Sequence, residues 1–414
     1  MQQLIEPLVK IAILIGGMMT AAAYFVLLER WMAAWVQDRK GPNRVGVPLT
    51  KIRLFGLGQP LADGVKFIMK EEYTPKHVDR ILYTLAPISI LAAALGVFAT
   101  IPFGHMIPPL PIPGFEKPIP LVVAPYLDVG IIYVFALSSI AVYGVILGGW
   151  ASNNKYSLLG GLRSSAQLIA YELPMGLGLL GIVLFSSSLR LENIIDQQAN
   201  TGVWNIFIQP LGFVVFLIAS FAEAARLPFD LPEAEQELIG GYHTEYAGLR
   251  LLMYLVAEFL HMIVAAFLIV MLFFGGWHLW GITGDATEPI TWGTAIARLV
   301  VLSAKVFAVI VFFMLARWSW PRFRFDQLMA LAWKVMLPLG TLNLVAVAAL
   351  VEFGWNVPNG RLAHPLLAAG VMWGFSIVSL ALAALFSPLS PDNAPRRDLL
   401  EQYDRDFVPG VRKV

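Results

Sequence analysis

The sequence predicts an all-α protein that crosses a membrane about nine times. Hydrophobic residues make up 58% of its 414 residues and charged residues only 14%, whereas an ordinary soluble domain is about a quarter charged. Apolar runs recur along the chain, and a run of roughly 20 residues crosses about 30 Å of hydrocarbon as a helix. Helices are favoured there because they satisfy every backbone hydrogen bond within the segment.

The apolar runs follow one another with polar connections between them. Residues 8–28 run into charged sequence without a small-residue cleavage site, so we interpret them as part of a first span and not as a removed signal. The predicted spans are 8–30, 79–101, 126–149, 165–187, 206–225, 249–275, 294–316, 328–351 and 364–386.

Positive charge is distributed unevenly between the two sides of these spans. Of the 29 Lys and Arg residues, 23 fall in the tail and in connections on the side that follows the first span, and four fall on the opposite side. Because cytoplasmic connections carry an excess of Lys and Arg, this asymmetry predicts an outside N-terminus and a cytoplasmic C-terminus. The acidic stretch at 221–246 is then expected on the cytoplasmic side.

Composition argues against several classes of chemistry. The net charge of +1 argues against nucleic-acid binding, and the absence of Cys removes disulfides, thiolate metal sites and Cys-ligated iron–sulfur clusters. The sequence has no phosphate-binding loop, no metal-type His/Cys spacing and no nucleophile elbow. Any redox centre is therefore expected in a partner, and no metal site is expected in this chain.

The connection from Arg30 to Arg80 is too long to be a simple link between two helices. Gly-Pro-Asn at 41–43 interrupts the helix, and the pattern after Pro60 predicts an amphipathic helix. Its apolar residues are Leu61, Val65, Phe67 and Ile68, and its charged residues are Asp63, Lys66 and Lys70. Such a helix is expected at the membrane interface. A basic segment held on anionic lipid is the alternative.

The stretch 221–246 is strongly acidic and lies between two apolar spans. Seven of the chain's 28 Asp and Glu residues fall within 223–258. Pro228 and Pro232 prevent a continuous helix, which predicts that Asp230 lies on a turn. A short following helix is expected to carry Glu233, Glu235 and Glu237. A solvated face is the alternative, but it does not explain why Glu also occurs inside the neighbouring spans.

The carboxylates of interest inside or at the end of predicted spans are Asp128, Glu172, Glu223 and Glu258. A charged side chain at the centre of a span costs about 2.5–3.5 kcal/mol on insertion scales, so such groups usually face the bundle interior or a water-filled path. Clustered carboxylates in that setting can hold or pass protons near neutral pH. These residues are therefore candidate proton-carrying groups.

Three further ionisable residues lie within the spans. Glu258 and His261 are three residues apart, which places them on one helical face, although a histidine satisfied in the core is the alternative. Arg298 and Lys305 are seven residues apart, also on one face, and are predicted partners for buried carboxylates. Ion pairs that only stabilise the bundle are the alternative for these two.

Several strings of the sequence match a known family. They are ERWMAAWVQDRKGPNRVG at 29–46, GLGQPLADGVKFIMKE at 56–71, YELP at 171–174, FAEAARLPFDLPEAEQELIGGYHTEY at 221–246 and WPRFRFDQLMALAWKVMLPL at 320–339. Over residues 8–351 the chain resembles the H subunit of NADH-quinone oxidoreductase, respiratory complex I. Eight spans are similar to that family and the ninth is an addition. The resemblance predicts a family-like membrane domain at 1–351, an extra helix within 352–390 and a cytoplasmic tail at 391–414.

The resemblance implies a subunit of the bacterial inner membrane without a redox centre of its own. Quinone, either ubiquinone or menaquinone, is the implied substrate, and FMN and iron–sulfur clusters are expected only in partner subunits. The implied partners are hydrophilic subunits at the quinone site and neighbouring membrane subunits. Arg317 matches the family's basic position at the end of the seventh span.

The resemblance also implies roles for individual residues. The implied chamber or entry residues are Arg30, Arg39, Asp63, Arg226 and Phe229. The implied acidic path consists of Asp63, Glu172, Glu223, Asp230, Glu233, Glu235 and Glu258, with Glu237 and Glu245 as further loop members.

Other functions stay open at this point. Membrane-bound hydrogenases and formate hydrogenlyases carry a similar subunit, although the full-length first connection and the complete acidic motif favour the quinone-linked branch. A stand-alone proton transporter is expected to show inverted repeats and a broken helix at the midplane, and neither is evident in the sequence. A purely structural anchor for a hydrogenase-type arm would retain hydrogen chemistry after losing quinone dependence.

Overall fold

The fold comes from a computed structural model, which describes residues 2–46, 55–109, 118–125, 127–230, 240–280, 283, 291–352, 356–357, 361–362 and 365–386. The helices are α1 (Gln2–Val36), α2 (Gln59–Met69), α3 (Arg80–Val97), α4 (Gly130–Ala151), α5 (Lys155–Ser186), α6 (Leu191–Thr201), α7 (Asn205–Ile208), α8 (Pro210–Glu223), α9 (Gly248–Phe273), α10 (Trp292–Ser319), α11 (Phe325–Ala330), α12 (Leu337–Glu352) and α13 (Pro365–Phe386). A π-helical turn at Leu331–Met336 joins α11 to α12. In the described part of the chain, eight helical segments are long and apolar enough to cross a membrane, which confirms the all-α, membrane-spanning prediction.

Strands make up very little of the described residues. β1 (Met106–Ile107) pairs antiparallel with β2 (Ile119–Pro120), and β3 (Asn356–Val357) pairs antiparallel with β4 (Arg361–Leu362). The first hairpin lies in the connection between α3 and α4, and the second lies in the connection between α12 and α13.

The fifth predicted span, 206–225, is shorter than expected. It forms α7 and α8, and the 14 residues of α8 extend for about 21 Å at a rise of about 1.5 Å per residue. Pro210 is tolerated at the first helical position because its missing N–H has no intrahelical partner there. The helix ends at Glu223, and Ala225 takes a left-handed conformation with a φ of 49°. The acidic side chain is therefore held at the end of a short, enclosed helix.

Helix α9 is the centre of the bundle. Its most apolar stretch is 78% buried, compared with 11% for the corresponding stretch of α1. It packs against α1, α3, α8 and α10, and every residue of 262–273 is buried. The outward side chains of α1 suit lipid or a neighbouring membrane protein, since neither penalises apolar surface. Ionisable residues on α9, by contrast, are held inside the protein.

Small residues allow α3, α4 and α5 to pack closely. A Cβ atom at Gly144 would lie 3.0 Å from the carbonyl oxygen of Ala86, and a Cβ atom at Gly161 would lie 3.4 Å from the Cα atom of Gly149. Such close backbone approach is typical of helices packed in membranes. Asp79 caps the first turn of α3 by accepting hydrogen bonds from two N–H groups. These three helices form one wall of the site described below.

The amphipathic helix predicted after Pro60 is present as α2. None of its residues is buried, and Leu61, Val65 and Ile68 are 70%, 52% and 64% exposed. Arg30, near the end of α1, donates a hydrogen bond of 2.6 Å to Asp63. One side of α2 is therefore tied to α1, whereas Leu61, Val65 and Ile68 point outward, which suits a membrane interface.

The prediction that Lys305 pairs with a carboxylate is wrong. Its ammonium group donates to three carbonyl oxygens, those of Phe274, Gly276 and His278, at 2.7, 2.9 and 2.5 Å. These carbonyls lie at and just beyond the end of α9, where the last turn has no intrahelical donor. Arg298, on the same helix as Lys305, donates to the carbonyl oxygen of Thr283 at 3.1 Å. Both basic groups therefore satisfy backbone carbonyls.

The ninth predicted helix is present as α13. It packs against α7, α8 and α12, and Ala368 and Met372 are buried beside Ile208 and Val347. The predicted tail at 391–414 lies outside the described residues. The predicted division of the chain at residue 351 therefore stays a prediction.

Candidate functional site

A large cavity opens between α1, α2 and α9, and we call it the chamber. Its volume is about 650 Å³, within the range of about 300–1,000 Å³ that is typical of small-molecule sites. Apolar residues form most of its wall, among them Met19, Ala22, Val26, Leu252 and Leu255. Its charged residues are Glu29, Arg30, Arg39, Asp63, Arg226, Glu258 and Arg317.

Four of these charged residues form an ion cluster at the inner end of the chamber. Arg226 lies 3.2 Å from Glu29 and 3.4 Å from Glu258, measured between nitrogen and carboxylate oxygen. Its guanidinium carbon lies 4.2 Å from the ring centroid of Phe259. Arg317, at the end of α10, also pairs with Glu29. Because Arg226 is only 4% exposed, both carboxylates help to compensate its buried charge.

A second cavity, which we call the acidic cavity, lies behind the chamber. Carboxylates from three helices line it, namely Glu172 of α5, Glu223 of α8 and Glu258 of α9. Ser138 and Ser139 of α4 donate hydrogen bonds to Glu223 and Glu172, respectively. The volume is about 50 Å³. Since one water needs roughly 10–15 Å³ of such volume, the cavity has room for about three to five waters.

A third and smaller cavity, which we call the apolar cavity, continues from the acidic cavity. Its volume is about 10 Å³, close to the roughly 10–15 Å³ that one water needs. Among the described residues, those that line both this cavity and the acidic cavity are Ser138, Glu223 and His261. Apart from these three and Ser220, its lining residues are apolar. Ser138, Glu223 and His261 therefore form a neck between a polar cavity and an apolar one.

Tyrosines close the acidic cavity towards the acidic stretch. Tyr242 and Tyr254 line the cavity, and Tyr246 packs between Tyr254 and Tyr83 at ring-centroid distances of 5.0 and 4.1 Å. Tyr246 lies in the connection before α9, where burial raises the pKa of its phenol to about 12. The hydroxyl group is therefore neutral at physiological pH.

The connection after α8 is held in place by its neighbours on α5. Gln167 donates to the carbonyl oxygens of Ala222 and Phe229 at 3.0 and 2.8 Å. Gly160 lies so close to Gly241 that a Cβ atom there would be 2.6 Å from the Gly241 Cα. This close approach brings the following residue, Tyr242, into the acidic cavity. The glycine at position 160 is therefore needed to bring the connection against α5.

The structure brings most of the predicted chamber residues together. Arg30, Arg39, Asp63 and Arg226 all line the chamber. Phe229 lines none of the three cavities; it is 2% exposed and lies between Tyr171 and Phe323, at centroid distances of 5.4 Å to each. Phe229 packs the acidic stretch onto its neighbours, whereas the other four face the chamber.

The predicted acidic path is brought together in part. Glu172, Glu223 and Glu258 share the acidic cavity, whereas Asp63 lines only the chamber. Asp230 lies apart from all three cavities, 3.2 Å from Arg322. Glu245 accepts a hydrogen bond from Asn154. Glu233, Glu235 and Glu237 lie outside the described residues.

Asp128 is not a membrane-buried carboxylate, contrary to the sequence prediction. Its side chain is 80% exposed and pairs with Arg190. It precedes the first residue of α4, where solvent and the arginine both stabilise its charge. A charged carboxylate at this position costs little free energy, because the bundle does not enclose it.

Some residues of the site were not predicted from the sequence. Glu29 ends an apolar run and looks like the first charge of the following connection, but it is 8% exposed and pairs with two arginines. Ser138 and Ser139 occur as a pair inside an apolar span. Serine in such a span commonly bonds to its own helix backbone, so the pair gave no signal. Only packing reveals that each serine faces a different carboxylate.

No group of three His, Cys, Asp or Glu residues suitable for a metal ion occurs among the described residues. The ionisable and hydroxyl groups that line the three cavities are carboxylates, guanidinium groups, the hydroxyls of Ser and Tyr, and the imidazole of His261. Such a set can bind a polar head group, stabilise charge and transfer protons.

Comparison with known proteins gives consistent matches along most of the chain. The family model described as NADH dehydrogenase matches residues 9–348. The chain is 48% identical over 338 residues to the H 1 subunit of the NADH-quinone oxidoreductase of Geobacter metallireducens, a match that covers 82% of this chain and 94% of that protein. It is 47% identical over 344 residues to the H 2 subunit from Geobacter sulfurreducens, covering 83% and 96%. It is 46% identical over 329 residues to the H subunit from Protochlamydia amoebophila, covering 80% and 92%.

Proposed function

Because the chain belongs to the NADH dehydrogenase family, as the resemblance predicts, we propose that it forms the quinone chamber of a proton-translocating NADH-quinone oxidoreductase. The chain is a multi-pass membrane subunit of that enzyme, and the enzyme activity belongs to the assembly. Hydrophilic subunits at the quinone site and neighbouring membrane subunits are its partners. FMN and iron–sulfur clusters reside in those partners.

The chamber supports binding of a quinone, which is an uncharged and largely apolar molecule. Apolar residues of α1 and α9, together with Phe67 of α2, line it. The Arg30–Asp63 pair joins α1 to α2 at 2.6 Å, so a quinone that leaves the lipid passes beside these helices. At the inner end, Arg226 offers a cation that stabilises negative charge developing on a quinone oxygen during reduction.

The observation that carries the proposal is the position of Glu258. This residue lines both the chamber and the acidic cavity, and it pairs with Arg226 at 3.4 Å. Reduction of quinone to quinol takes up two protons and changes the charge in the chamber. Glu258 is shared by both cavities, so a change in its protonation or pairing changes the electrostatic field at Glu172 and Glu223. Coupled carboxylates respond to such a change by exchanging protons.

The location follows from the same assignment. The protein spans the bacterial inner membrane, with an outside N-terminus and a cytoplasmic C-terminus. The excess of Lys and Arg on one side supports this orientation. The chamber and the connection after α8 then lie at the cytoplasmic end of the bundle, where electrons from NADH arrive through the hydrophilic subunits.

Replacing Glu223 by Gln in the assembled membrane complex tests this function, because Gln preserves the shape but cannot carry a proton. We expect NADH-driven quinone reduction and proton pumping to fall together, while electron transfer from NADH to an artificial acceptor is retained. Glu352→Gln, at the exposed end of α12, is the matched control and should keep both activities. Unchanged quinone reduction and pumping in a fully assembled Glu223→Gln complex would reject the acidic path.

A further inference from the structure

His261 lies at the neck between the acidic cavity and the apolar cavity. We propose that His261 is a proton-relay residue that carries protons between Glu258 and Glu223. The proposal rests on the proposed function above, because it adds one imidazole to a path otherwise made of carboxylates. It also replaces the interpretation of this side chain as an ordinary core histidine.

The order of ionisable groups along α9 supports this role. Glu258 lines the chamber and the acidic cavity, and His261 lines the acidic cavity and the apolar cavity. The two residues are three apart, so they lie on one face of the helix and are separated by a rise of about 4.5 Å. A proton that leaves Glu258 along this face therefore meets His261 next. Glu223 shares both of the cavities that His261 lines.

The surroundings of the imidazole also point to a functional group. Buried polar side chains in protein cores almost always have a hydrogen-bond partner. His261 is half-buried, and no residue in the described part of the chain forms a hydrogen bond with it. Its ring instead borders a cavity with room for water. A histidine kept only for packing would be expected to show a fixed partner, as Gln167 does nearby.

The volume of the acidic cavity suits proton transfer through water. The acidic cavity measures about 50 Å³, which has room for about three to five waters. A proton-transfer group acts either directly or through one bridging water. The acidic cavity therefore has room for a short water chain between the Glu258 carboxyl, the ring of His261 and the Glu223 carboxyl.

The transfer itself balances without any other reactant. The carboxylic acid of Glu258 gives its proton to the unprotonated ring nitrogen of His261, and the other ring nitrogen releases its proton to the carboxylate of Glu223. One proton enters the ring and one leaves, so the imidazole ends neutral in the opposite tautomer. Ring rotation or the reverse transfer restores the starting tautomer. Glutamine at this position cannot perform this exchange, because an amide does not take up a proton near neutral pH.

The remaining titratable groups that line the acidic cavity are Glu172, Tyr242 and Tyr254. Glu172 comes from α5, where it accepts a hydrogen bond from Ser139. In the described part of the chain, the titratable side chains that line the apolar cavity are Glu223 and His261. His261 and Glu223 are therefore the last proton-carrying groups of the acidic cavity before the apolar residues begin.

The test replaces His261 by Gln in the assembled complex, with His77→Gln as the matched control because His77 is exposed in the connection before α3. We expect kcat for NADH-driven quinone reduction to fall by about tenfold or more, since a positioned proton-transfer group contributes about 10²–10⁴-fold. The KM for quinone should stay unchanged, because His261 does not line the chamber. The kinetic solvent isotope effect should increase, because proton transfer becomes rate-limiting. A change in packing alone would not produce that increase.

The outcomes separate this inference from the proposed function. If Glu223→Gln abolishes coupling while His261→Gln keeps kcat, pumping and the isotope effect of the wild type, the relay role is overturned and the acidic path survives. If both variants behave as wild type, the proposed function itself fails. His261→Asn provides a second variant if the Gln variant does not assemble, and the same results are expected for it. Reduced kcat with an unchanged isotope effect would also overturn the relay and assign His261 to packing.

Discussion

Replacing Arg226 by Gln tests the ion cluster at the inner end of the chamber. The arginine lies between Glu29 at 3.2 Å and Glu258 at 3.4 Å, so the substitution removes one cation from two carboxylates at once. Gln retains part of the side-chain volume but has no charge. We expect quinone reduction to be lost to a much greater extent than assembly, because the chamber keeps its apolar wall.

The magnitude follows from burial. The side chains of Arg226, Glu29 and Glu258 are 4%, 10% and 12% exposed, and removing one partner of a buried pair costs about 3–5 kcal/mol. Because the carboxylates border a chamber of about 650 Å³ that water can enter, we take the lower end, about 3 kcal/mol. This cost applies to the stability of the subunit. For the rate, removing one group that stabilises developing negative charge costs about 10²–10³-fold, so we expect roughly a hundredfold loss in kcat/KM for quinone.

The assay is NADH-driven reduction of a short-chain quinone by membranes that contain the assembled complex, with electron transfer to an artificial acceptor as the measure of assembly. Arg190→Gln is the matched control, because Arg190 pairs with the 80% exposed Asp128 at the opposite end of the bundle. Exposed pairs contribute only about 0–1 kcal/mol to stability. Arg190 does not line the chamber, so the control should keep the kcat/KM for quinone within about fivefold of the wild type. A fully assembled Arg226→Gln complex within about threefold of the wild type would refute the reasoning.

Two further predictions concern packing. Gly160→Ala should lower the stability of the assembled complex by about 1–3 kcal/mol, because the new Cβ atom would lie 2.6 Å from the Cα atom of Gly241. Gly176→Ala is the control, because a Cβ atom at Gly176 would meet no atom within 4 Å. Equal stability of the two variants would contradict the close packing at Gly160. Lys305→Met should destabilise the complex by at least about 2 kcal/mol, since it leaves three carbonyl oxygens without their donor. Thermal unfolding compared with Lys334→Met, an exposed lysine, measures this effect, and an equal midpoint for both variants would show that water replaces the ammonium group.

Sequence reasoning located the acidic cavity through the cost of burying charge. Glu172 and Glu258 stand within apolar spans, where an unpaired carboxylate is strongly unfavourable. This cost predicted that they face the bundle interior, and the structure places both at one cavity. The same reasoning failed for Asp128, because residues at the end of a span reach solvent. The difference between the centre and the end of a helix decides whether the argument holds.

Other features of the site had no local signal. Phe229 and Asp230 belong to the acidic stretch, yet the first packs between two aromatic rings and the second pairs with Arg322. Neither contact is visible from spacing, because each partner comes from a distant helix or connection. Glu29 was unremarkable for the same reason, since its partners Arg226 and Arg317 are 197 and 288 residues away.

The sequence by itself determined which segments are apolar helices and which connections are charged. These properties are local, because hydrophobicity and the cost of exposing backbone groups act on each segment regardless of its neighbours. Only the tertiary structure decided that Glu258 borders the chamber and the acidic cavity and that His261 stands at the neck between the acidic cavity and the apolar cavity. Those relations depend on how α5, α8 and α9 pack, and packing is set jointly by side chains on several helices.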